Sequence, residues 1–230
     1  WSGIYSYSDN TVVEDNVLVR GCDNTFSVWR NNSEGPGTNV VFQRNLIKDG
    51  CDKCVILHGH DLPDDSWPYP NYNSRILDNT FASCNLAIGV QDGRHLIEGN
   101  TFEQDPDFNW NWHHAIYAGI SSQSYKTPVI YWKDNVVSDA WWPVAVRGRA
   151  NLVSLGGNEI IRGKYVGVYV GEEARAVIEG DRFIENGGAN DSRGYVGGIA
   201  VLAGEGWADL GGGSLVIDQR QVTSEGNNEF

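Results

Sequence analysis

The sequence has no methionine and little positive charge. Only 17 of its 230 residues are Lys or Arg, against 30 Asp and Glu, so the formal net charge is −13. Nucleic acids and anionic membranes are bound through basic faces that release counterions, and this balance excludes both as the main partner. No apolar run approaches the roughly 18–20 residues of a membrane span, and no signal peptide is recognisable. Because the chain starts at Trp1 and lacks methionine, we expect a processed piece of a longer precursor.

Charged residues are scarce overall, at 20%, whereas glycine is abundant, with 28 copies. Each glycine in a helix interior costs roughly 1 kcal/mol relative to alanine, so this composition disfavours a helical bundle. The length fits one domain with a substantial hydrophobic core. We therefore predict a single domain over residues 1–230.

An internal repeat determines the architecture. One polar residue recurs in a fixed setting, with a large apolar residue three positions before it and another two positions after it. Identical asparagines stacked one coil apart hydrogen-bond to one another, which explains why an amide recurs at a buried turn. The repeat comprises Asn16, Asn45, Asn79, Asn100, Asn135 and Asn158, with Asp181 in the same role and Asn228 starting it again.

The spacings between successive repeat residues are 29, 34, 21, 35, 23 and 23. A strict hexapeptide period would indicate a left-handed β-helix. Spacings with a minimum near 21–23 and variable insertions predict a right-handed parallel β-helix instead. In such a rod, the short strands of successive coils pair about 4.8 Å apart.

A second strand follows in each coil, because apolar residues alternate there with period 2, as in a strand with one buried face. No window keeps a helical period. We therefore predict an all-β, right-handed parallel β-helix (a solenoid) of about seven to eight coils, with long loops on one side. The predicted inward residues are Phe26, Val28, Val55, Leu57, Ile88, Val90, Ile116, Ala118, Val144, Val146, Val166, Val168, Val170, Ile199 and Val201.

The coil pattern resembles the pectin-lyase-like superfamily of right-handed β-helices. The sequence His-Ala-Ile-Tyr-Ala-Gly at 114–119 and the sequence Val-Gly-Val-Tyr-Val-Gly at 166–171 look like its generic coil repeats. The tail segments 207–214 and 224–230 are similar to a bacterial β-helix group of unknown function, although an insertion at 215–223 separates them. The resemblance implies the fold and no particular activity.

Four cysteines fall in three consecutive coils. Cys22 and Cys51 each lie six residues after their repeat asparagine, Cys84 lies five after its own, and Cys54 begins the next strand. The coil spacing of about 4.8 Å lies inside the range that a disulfide needs, and an even count in a secreted protein favours bridges. We predict Cys22–Cys51 with Cys54–Cys84. Buried free thiols are the alternative, and a metal site is the weakest interpretation because no second close cysteine pair occurs.

Insertions in a solenoid emerge from one side without disturbing the stack, and they often carry function. Three long insertions, 59–73, 104–114 and 119–127, border the second predicted strand. Carboxylates are frequent in the first two, and calcium prefers oxygen ligands. We therefore take calcium as the candidate cofactor, with ordinary turn chemistry as the alternative. The candidate ligands are Asp61, Asp64 and Asp65, or Asp105 and Asp107.

Outward positions of the second strand form two columns that border a shallow groove. Tyr117 and Arg147 lie diagonally, roughly 8 Å apart by strand geometry, and His58 lies about 14 Å from Arg147. A groove of that length suits several sugar units better than one small molecule. The columns are Ser27, Ile56, Gly89, Tyr117, Ala145 and Tyr169, and Trp29, His58, Gln91, Gly119, Arg147 and Gly171.

Tryptophans near this groove favour a polysaccharide site, because a flat aromatic face covers a large area at low entropic cost. The alternative is that each tryptophan packs its own loop onto the rod. The candidate substrate-binding residues are Trp29, Gln91, Trp110, Trp112, Trp141 and Trp142.

The lyases of the resembled superfamily remove a proton next to a uronate carboxylate, which takes a base and a cation. Arg147 is the candidate cation, and Tyr117, His58 or His114 is the candidate base. A simple ion pair on a solvated face is the alternative for Arg147. The net charge of −13 weighs against an unaided uronan site.

A hydrolase would instead use two carboxylates across the cleft, here Asp105 and Asp139, and would suit a neutral glycan. The sequence lacks the Gly-His-Gly motif of the superfamily's pectin hydrolases and the Asp-Pro-His motif of its uronan epimerases. We therefore expect a secreted carbohydrate-recognising β-helix that binds or acts on a polysaccharide. A non-catalytic structural or adhesive surface module is the alternative.

Overall fold

A computed structural model describes residues 3–21, 24–28, 30–31, 35–36, 38–50, 52–59, 72–105, 113–119, 127–171, 173–186, 197–201, 207–210 and 216–217. Every regular element among these residues is a short β-strand, which confirms the all-β prediction. A search of the same residues for a helix long and apolar enough to cross a membrane finds none.

The chain winds through three short strands in each full coil, whereas the sequence pattern distinguished only two. The apolar residues on either side of each repeat asparagine belong to different strands, because the asparagine itself turns the chain. In chain order the strands are β1 (Ile4–Ser6), β2 (Val12–Glu14), β3 (Val17–Val19), β4 (Asn24–Val28), β5 (Arg30–Asn31), β6 (Gly35–Pro36), β7 (Val40–Gln43), β8 (Leu46–Lys48), β9 (Lys53–Leu57), β10 (Ser74–Leu77), β11 (Thr80–Ala82), β12 (Leu86–Val90), β13 (Arg94–Glu98), β14 (Thr101–Glu103), β15 (His114–Ala118), β16 (Val129–Lys133), β17 (Val136–Ser138), β18 (Trp142–Val146), β19 (Asn151–Ser154), β20 (Glu159–Ile161), β21 (Val166–Val170), β22 (Arg175–Ile178), β23 (Arg182–Ile184), β24 (Gly197–Val201), β25 (Trp207–Leu210) and β26 (Val216–Ile217).

Strands of successive coils pair in parallel to form three sheets. The first sheet has nine strands, in the order β1-β4-β9-β12-β15-β18-β21-β24-β26. The second has eight, β2-β7-β10-β13-β16-β19-β22-β25, and the third has seven, β3-β8-β11-β14-β17-β20-β23. The strands β5 and β6 form a separate antiparallel pair. The fold is thus a right-handed parallel β-helix, as predicted, and seven described coils contribute a strand to all three sheets.

Inward side chains of the three sheets fill the rod as stacked columns. In the third sheet Phe81 stacks on Phe102 with ring centroids 4.9 Å apart, and Phe102 lies 6.0 Å from the second-sheet Trp132. These rings are fully or almost fully buried, as are the aliphatic residues of the first sheet. Burying apolar area contributes about 25 cal/mol per Å², so this continuous column is the main source of stability.

The predicted asparagine ladder is present at the turn between the second and third sheets. Each asparagine donates its backbone N–H and its side-chain N–H to the Oδ1 of the residue one coil later. For Asn100 both bonds end on Asn135, at 2.9 and 3.0 Å. The same pair of bonds joins every step, from Asn16 to Asn45, Asn79, Asn100, Asn135, Asn158 and Asp181. Asn228 lies outside the described residues.

The ladder needs a left-handed residue immediately before each amide. Asp78 and Asp134 adopt φ of 53° and 51° in this position. At the next coil the position is Gly157, with φ +76°, where a Cβ would collide with the Asp134 carboxylate. Asp and Asn tolerate this region better than most residues, and glycine occupies it without penalty.

Cys54 and Cys84 form a disulfide between two neighbouring coils, as predicted, with their Cα atoms 6.3 Å apart. Both side chains are fully buried. The second predicted bridge, Cys22–Cys51, lies outside the described residues. The buried bridge therefore ties β9 to the turn before β12.

The predicted inward positions of the first sheet are correct from Phe26 to Val146 and again at Val168 and Val170. Val166 is the exception, because it packs with Trp142 in a separate cluster on the outer face. The alternation breaks at the start of the strands: Ala115 and Ile116 are consecutive, yet both belong to the core. Ile199 and Val201 lie on β24, and their side chains fall outside the described set.

Candidate functional site

The described members of the two predicted outward columns of the first sheet align as predicted, and Trp29 lies outside the described residues. Strand pairing aligns Tyr117 with Ala145 and Ala145 with Tyr169. In the next column, the backbone N–H of Arg147 donates to the Ala118 carbonyl, which places Arg147 next to Gly119 of the preceding coil. These columns form the outer face of the first sheet, and they place Tyr117 beside Arg147.

The open part of this face is shorter than the sequence predicted. Ser27 and Ile56 occupy outward positions in the first column, yet they are 0% and 1% exposed. Tyr117 and Tyr169, two coils apart, are only partly buried. In the first column the accessible side chains therefore lie on β15 and β21, since Ala145 of β18 is 2% exposed. In the second column Gln91 and Arg147 are partly exposed.

Arg147 and Tyr117 are in direct contact. Arg147 Nη1 donates a hydrogen bond of 3.4 Å to Tyr117 Oη. Gly119 lies beside them with φ +92°, and a Cβ there would collide with the Arg147 carbonyl. Glycine is thus required where the groove brings the backbones of β15 and β18 together.

His114 lies next to this pair, but it is almost fully buried, at 5% exposure. Its Nδ1 is 3.1 Å from the Trp142 carbonyl, and a carbonyl only accepts, so Nδ1 carries the proton. Burial lowers the pKa of His114 to about 3. The imidazole is therefore neutral at physiological pH and is a weak base. Its ring packs edge-on against Tyr117 at 5.1 Å.

Four aromatic residues, Trp141, Trp142, Tyr165 and Tyr169, form what we term the aromatic surface. The first three lie where β18 and β21 begin, and Tyr169 lies further along β21. Trp142 packs against Tyr165 at 5.0 Å and against Tyr169 at 5.5 Å. Only 9% of Trp142 is exposed, so it supports this surface from beneath. Tyr165 also meets Trp141 edge-on at 6.0 Å.

Trp141 lies between residues of the coils before and after it. The His113 ring stacks on it with centroids 5.0 Å apart. Lys164 Nζ lies 3.6 Å from the centroid of the Trp141 ring and 5.6 Å from that of Tyr165. Backbone bonds from Trp141 to His113 and from Tyr165 to Trp141 fix this order along the rod.

His58 and Gln91 lie at the other end of the groove. His58 is 9% exposed, and its Nδ1 is 3.7 Å from Asp92 Oδ1. The Gly59 N–H donates to the same oxygen at 2.6 Å. Burial raises the pKa of Asp92, but the contacts with His58 and Gly59 outweigh it, so the pKa lies below its usual value.

The Asp92 backbone also holds the fully buried His95. His95 Nε2 lies 2.7 Å from the Asp92 carbonyl and therefore carries the proton. Burial lowers the pKa of His95 to about 4. Asp92 thus connects one imidazole at the groove with another inside the rod.

The two predicted hydrolase carboxylates lie at one corner of the rod, in neighbouring coils. Asp139 comes between β17 and β18, and Asp105 follows β14 at an exposed position. Both oxygens of Asp139 accept from Arg162, at 2.7 and 2.6 Å. The corner leads into the aromatic surface, so the carboxylates do not face each other across the groove.

Several predicted site residues lie outside the described residues. Asp105 is the one predicted calcium ligand that is described. Within the described ranges, no three His, Cys, Asp or Glu side chains form a group suited to a metal ion. The candidates outside are Trp29, Trp110, Trp112, Asp61, Asp64, Asp65 and Asp107.

Sequence reasoning did not select Asp92, His113, Lys164 or Tyr165 as site residues. A signal for Lys164 exists: it lies six residues after Asn158, as Trp141 lies six after Asn135. The count brings Lys164 close to Trp141 in the following coil, although strand pairing aligns Trp141 with Tyr165 and Lys164 with Ala140. It fails for His113, because the 104–114 insertion separates that residue from its ladder asparagine.

Comparison of the chain with protein-family models, with curated proteins and with solved structures found no match. The strand pairing alone therefore defines the class of protein, a right-handed parallel β-helix. The resemblance to the pectin-lyase-like superfamily stays a prediction.

Proposed function

We propose that the protein is a secreted glycan-recognising β-helix that binds a polysaccharide along β15, β18 and β21. The observation that carries this proposal is the combination on one outer face of the Arg147–Tyr117 pair with the aromatic surface. Aromatic rings contact the apolar faces of sugars, and a guanidinium donates hydrogen bonds in a plane. Together they suit a ligand whose rings have apolar C–H faces and polar hydroxyl groups at the edge.

The dimensions favour a polymer over a single sugar. Tyr117 and Tyr169 are two coils apart, which corresponds to about 10 Å along the rod. The aromatic surface extends the site from the columns toward the corner before β18. A ligand that contacts all of these residues has to span several sugar units.

A lyase version of this proposal uses Tyr117 as the base and Arg147 as the cation that neutralises a uronate carboxylate. The direct Arg147–Tyr117 contact favours this version, because it places the candidate base beside the candidate cation. His114 is the weaker candidate base, since burial lowers its pKa to about 3. The resembled superfamily includes lyases, which adds support.

A hydrolase version has less support. Asp139 is already held by Arg162 through two hydrogen bonds, so its carboxylate is engaged at the surface. A non-catalytic structural or adhesive module would use the same rod with no ligand in the groove. Secretion is supported by the Cys54–Cys84 disulfide, because such bonds persist in oxidising compartments. Calcium stays part of the proposal through Asp61, Asp64, Asp65, Asp105 and Asp107.

The test is a panel of uronans and neutral glycans, each with and without calcium. Affinity electrophoresis measures binding, absorbance of unsaturated uronate measures lyase activity, and reducing ends measure any chain cleavage. We expect at least one polysaccharide to retard the protein. A lyase gives both chemical signals, and a hydrolase gives only the second. If no glycan in the panel retards the protein or is cleaved, the proposal is wrong for that panel and the structural-module alternative stands.

A further inference from the structure

We propose that Lys164 determines the charge of the sugar accepted at Trp141, by covering the face on which a neutral ring would stack. This inference rests on the proposed function, because it concerns one position of the same site. Trp141 is then a position that favours an anionic group over a neutral ring, and not a bare stacking platform.

Residues of the neighbouring coils contact the Trp141 ring on both sides along the rod. His113 from the preceding coil stacks on it at 5.0 Å with the planes 27° apart. Lys164 from the following coil places its ammonium 3.6 Å from the ring centroid. His113 is fully buried, whereas Lys164 is partly exposed. Only the lysine side can be uncovered without disrupting the fold.

A neutral sugar that stacks on Trp141 has to displace this ammonium. A cation–π contact at an exposed or half-buried site is worth about 0.5–2 kcal/mol, so displacement weakens binding by about 2- to 30-fold. A carboxylate or sulfate has no such obstacle. It can approach the exposed side of Nζ and pair with it while the ammonium stays on the ring.

Lys164 is suited to this role because it is held by rings and not by an acid. Within the described part of the chain, no carboxylate forms an ion pair with it. By contrast, Lys133 pairs with Glu98 at 2.7 Å and Arg162 pairs with Asp139 at 2.6 Å. Lys164 therefore keeps its full capacity for an anionic ligand, in a protein whose net charge is −13.

The test compares matched charged and neutral ligands. Polygalacturonate and alginate are each paired with their carboxyl-reduced derivative, and dissociation constants are measured for wild type, Lys164→Ala and Lys164→Arg. We expect Lys164→Ala to bind the reduced polymer about 2- to 30-fold more tightly, because the cation–π contact no longer has to be displaced. It should bind the acidic polymer up to about 5-fold more weakly, because an exposed ion pair is lost. Lys164→Arg, which keeps the charge and the ring contact, should retain the wild-type preference.

Lys48→Ala is the matched control. Lys48 is exposed on the third sheet, so its removal changes the net charge equally but should leave both affinities unchanged. If wild type binds a glycan but Lys164→Ala keeps the wild-type affinities for both polymers, or if wild type prefers the reduced polymer, this inference is wrong and the proposed function stands. If wild type binds no glycan of the wider panel, the proposed function fails and the inference falls with it. Thermal unfolding of each variant verifies that the rod is intact.

Discussion

Asn158 donates both its backbone N–H and its side-chain N–H to one oxygen of Asp181, at 3.0 and 2.8 Å. The other Asp181 oxygen accepts from the Ser154 hydroxyl at 2.6 Å. Asp181 is 2% exposed, and burial raises its pKa although these hydrogen bonds partly offset the effect. Within the described residues, the ladder therefore reaches a buried carboxylate at Asp181 that accepts all three of these hydrogen bonds.

Replacing Asp181 with Asn should stabilise the protein at neutral pH. The folded state binds a proton more readily than the unfolded state, so the free energy of unfolding falls as pH rises from the ordinary carboxyl pKa through the folded one. Asp181→Asn keeps Oδ1 as the acceptor for Asn158, replaces the oxygen that accepts from Ser154, and removes this fall. We expect the variant to be more stable than wild type at pH 7 and about equally stable at pH 4, measured by urea unfolding.

Asn158→Asp is the mirror variant for this prediction. It removes the side-chain N–H groups that bond Asp181 and Ser154, and it sets two carboxylates against each other. It should lose stability at pH 7 and recover part of it in acid. If wild type were more stable than Asp181→Asn at pH 7, burial would not raise the pKa of Asp181 as proposed.

The buried histidines should make the protein acid-labile. Burial holds the pKa of His95 at about 4 and that of His114 at about 3, below the ordinary 6.5. Between pH 6.5 and about 4 these imidazoles are protonated in the unfolded chain but stay neutral in the folded chain. As the pH is lowered through this range, the free energy of unfolding should decrease by about 1.4 kcal/mol per pH unit for each histidine.

Urea unfolding at several pH values between 7 and 4.5 measures this slope. His114→Gln should reduce it by the contribution of one proton, and His95→Gln should do the same. The two effects should add, because the residues lie on different sheets. A slope unchanged in the double variant would show that neither imidazole stays neutral in the folded state.

Ile160→Ala should destabilise the rod by about 2–5 kcal/mol. Ile160 is fully buried on β20, and its removal leaves a cavity between the side chains of neighbouring coils. Ile161 is the control, since it is next in sequence but only partly buried. Ile161→Ala should cost about 1 kcal/mol or less. Equal losses for the two variants would contradict the assigned register of β20.

Arg147→Ala should weaken glycan binding and abolish any lyase activity without unfolding the rod. Arg147 lies on the outer face, where its guanidinium contacts Tyr117 and is not part of the buried core. Arg149→Ala is the control, because Arg149 is 77% exposed and pairs with Glu173. Affinity electrophoresis and thermal unfolding measure the two effects. Unchanged binding and turnover in Arg147→Ala, beside a binding wild type, would exclude Arg147 from the site.

Reduction of the Cys54–Cys84 bridge should cost about 3–4 kcal/mol. The bridge closes a loop of 30 residues, and that loop gains conformational freedom in the unfolded state once it is opened. The matched measurement is urea unfolding of wild type and of Cys54→Ser/Cys84→Ser, with and without reductant. A double variant as stable as the oxidised wild type would show that packing, not the cross-link, holds these coils together.

The repeat made the rod predictable because one amide and its flanking apolar residues recur at fixed offsets. The ladder from Asn16 to Asp181 and the core columns follow from that pattern without any knowledge of strand pairing. The number of sheets did not follow, because strands of three to five residues are too short to show where one ends and the next begins. Val166 was misplaced for a related reason, since the alternation breaks at the start of its strand.

The site was less predictable than the rod. Arg147 and Tyr117 were found because both lie on strands whose alternation fixes which side chains face outward. Lys164 and His113 were missed because their contacts with Trp141 join separate coils, one of which carries an insertion. The sequence also did not show that the His114 side chain is buried. His114 was therefore a reasonable candidate base, and its pKa is lowered only by its surroundings in the fold.

The hydrogen-bond geometry of the ladder does not depend on the number of residues between successive members. Asn79 and Asn100 are 21 residues apart and Asn100 and Asn135 are 35 apart, yet both steps have bonds of 2.9 and 3.0 Å. Segments at the corners can therefore be lengthened, shortened or exchanged while the coils keep their alignment. This makes the protein a candidate scaffold for display, in which a foreign peptide grafted between Asp105 and His113 would be carried beside the aromatic surface.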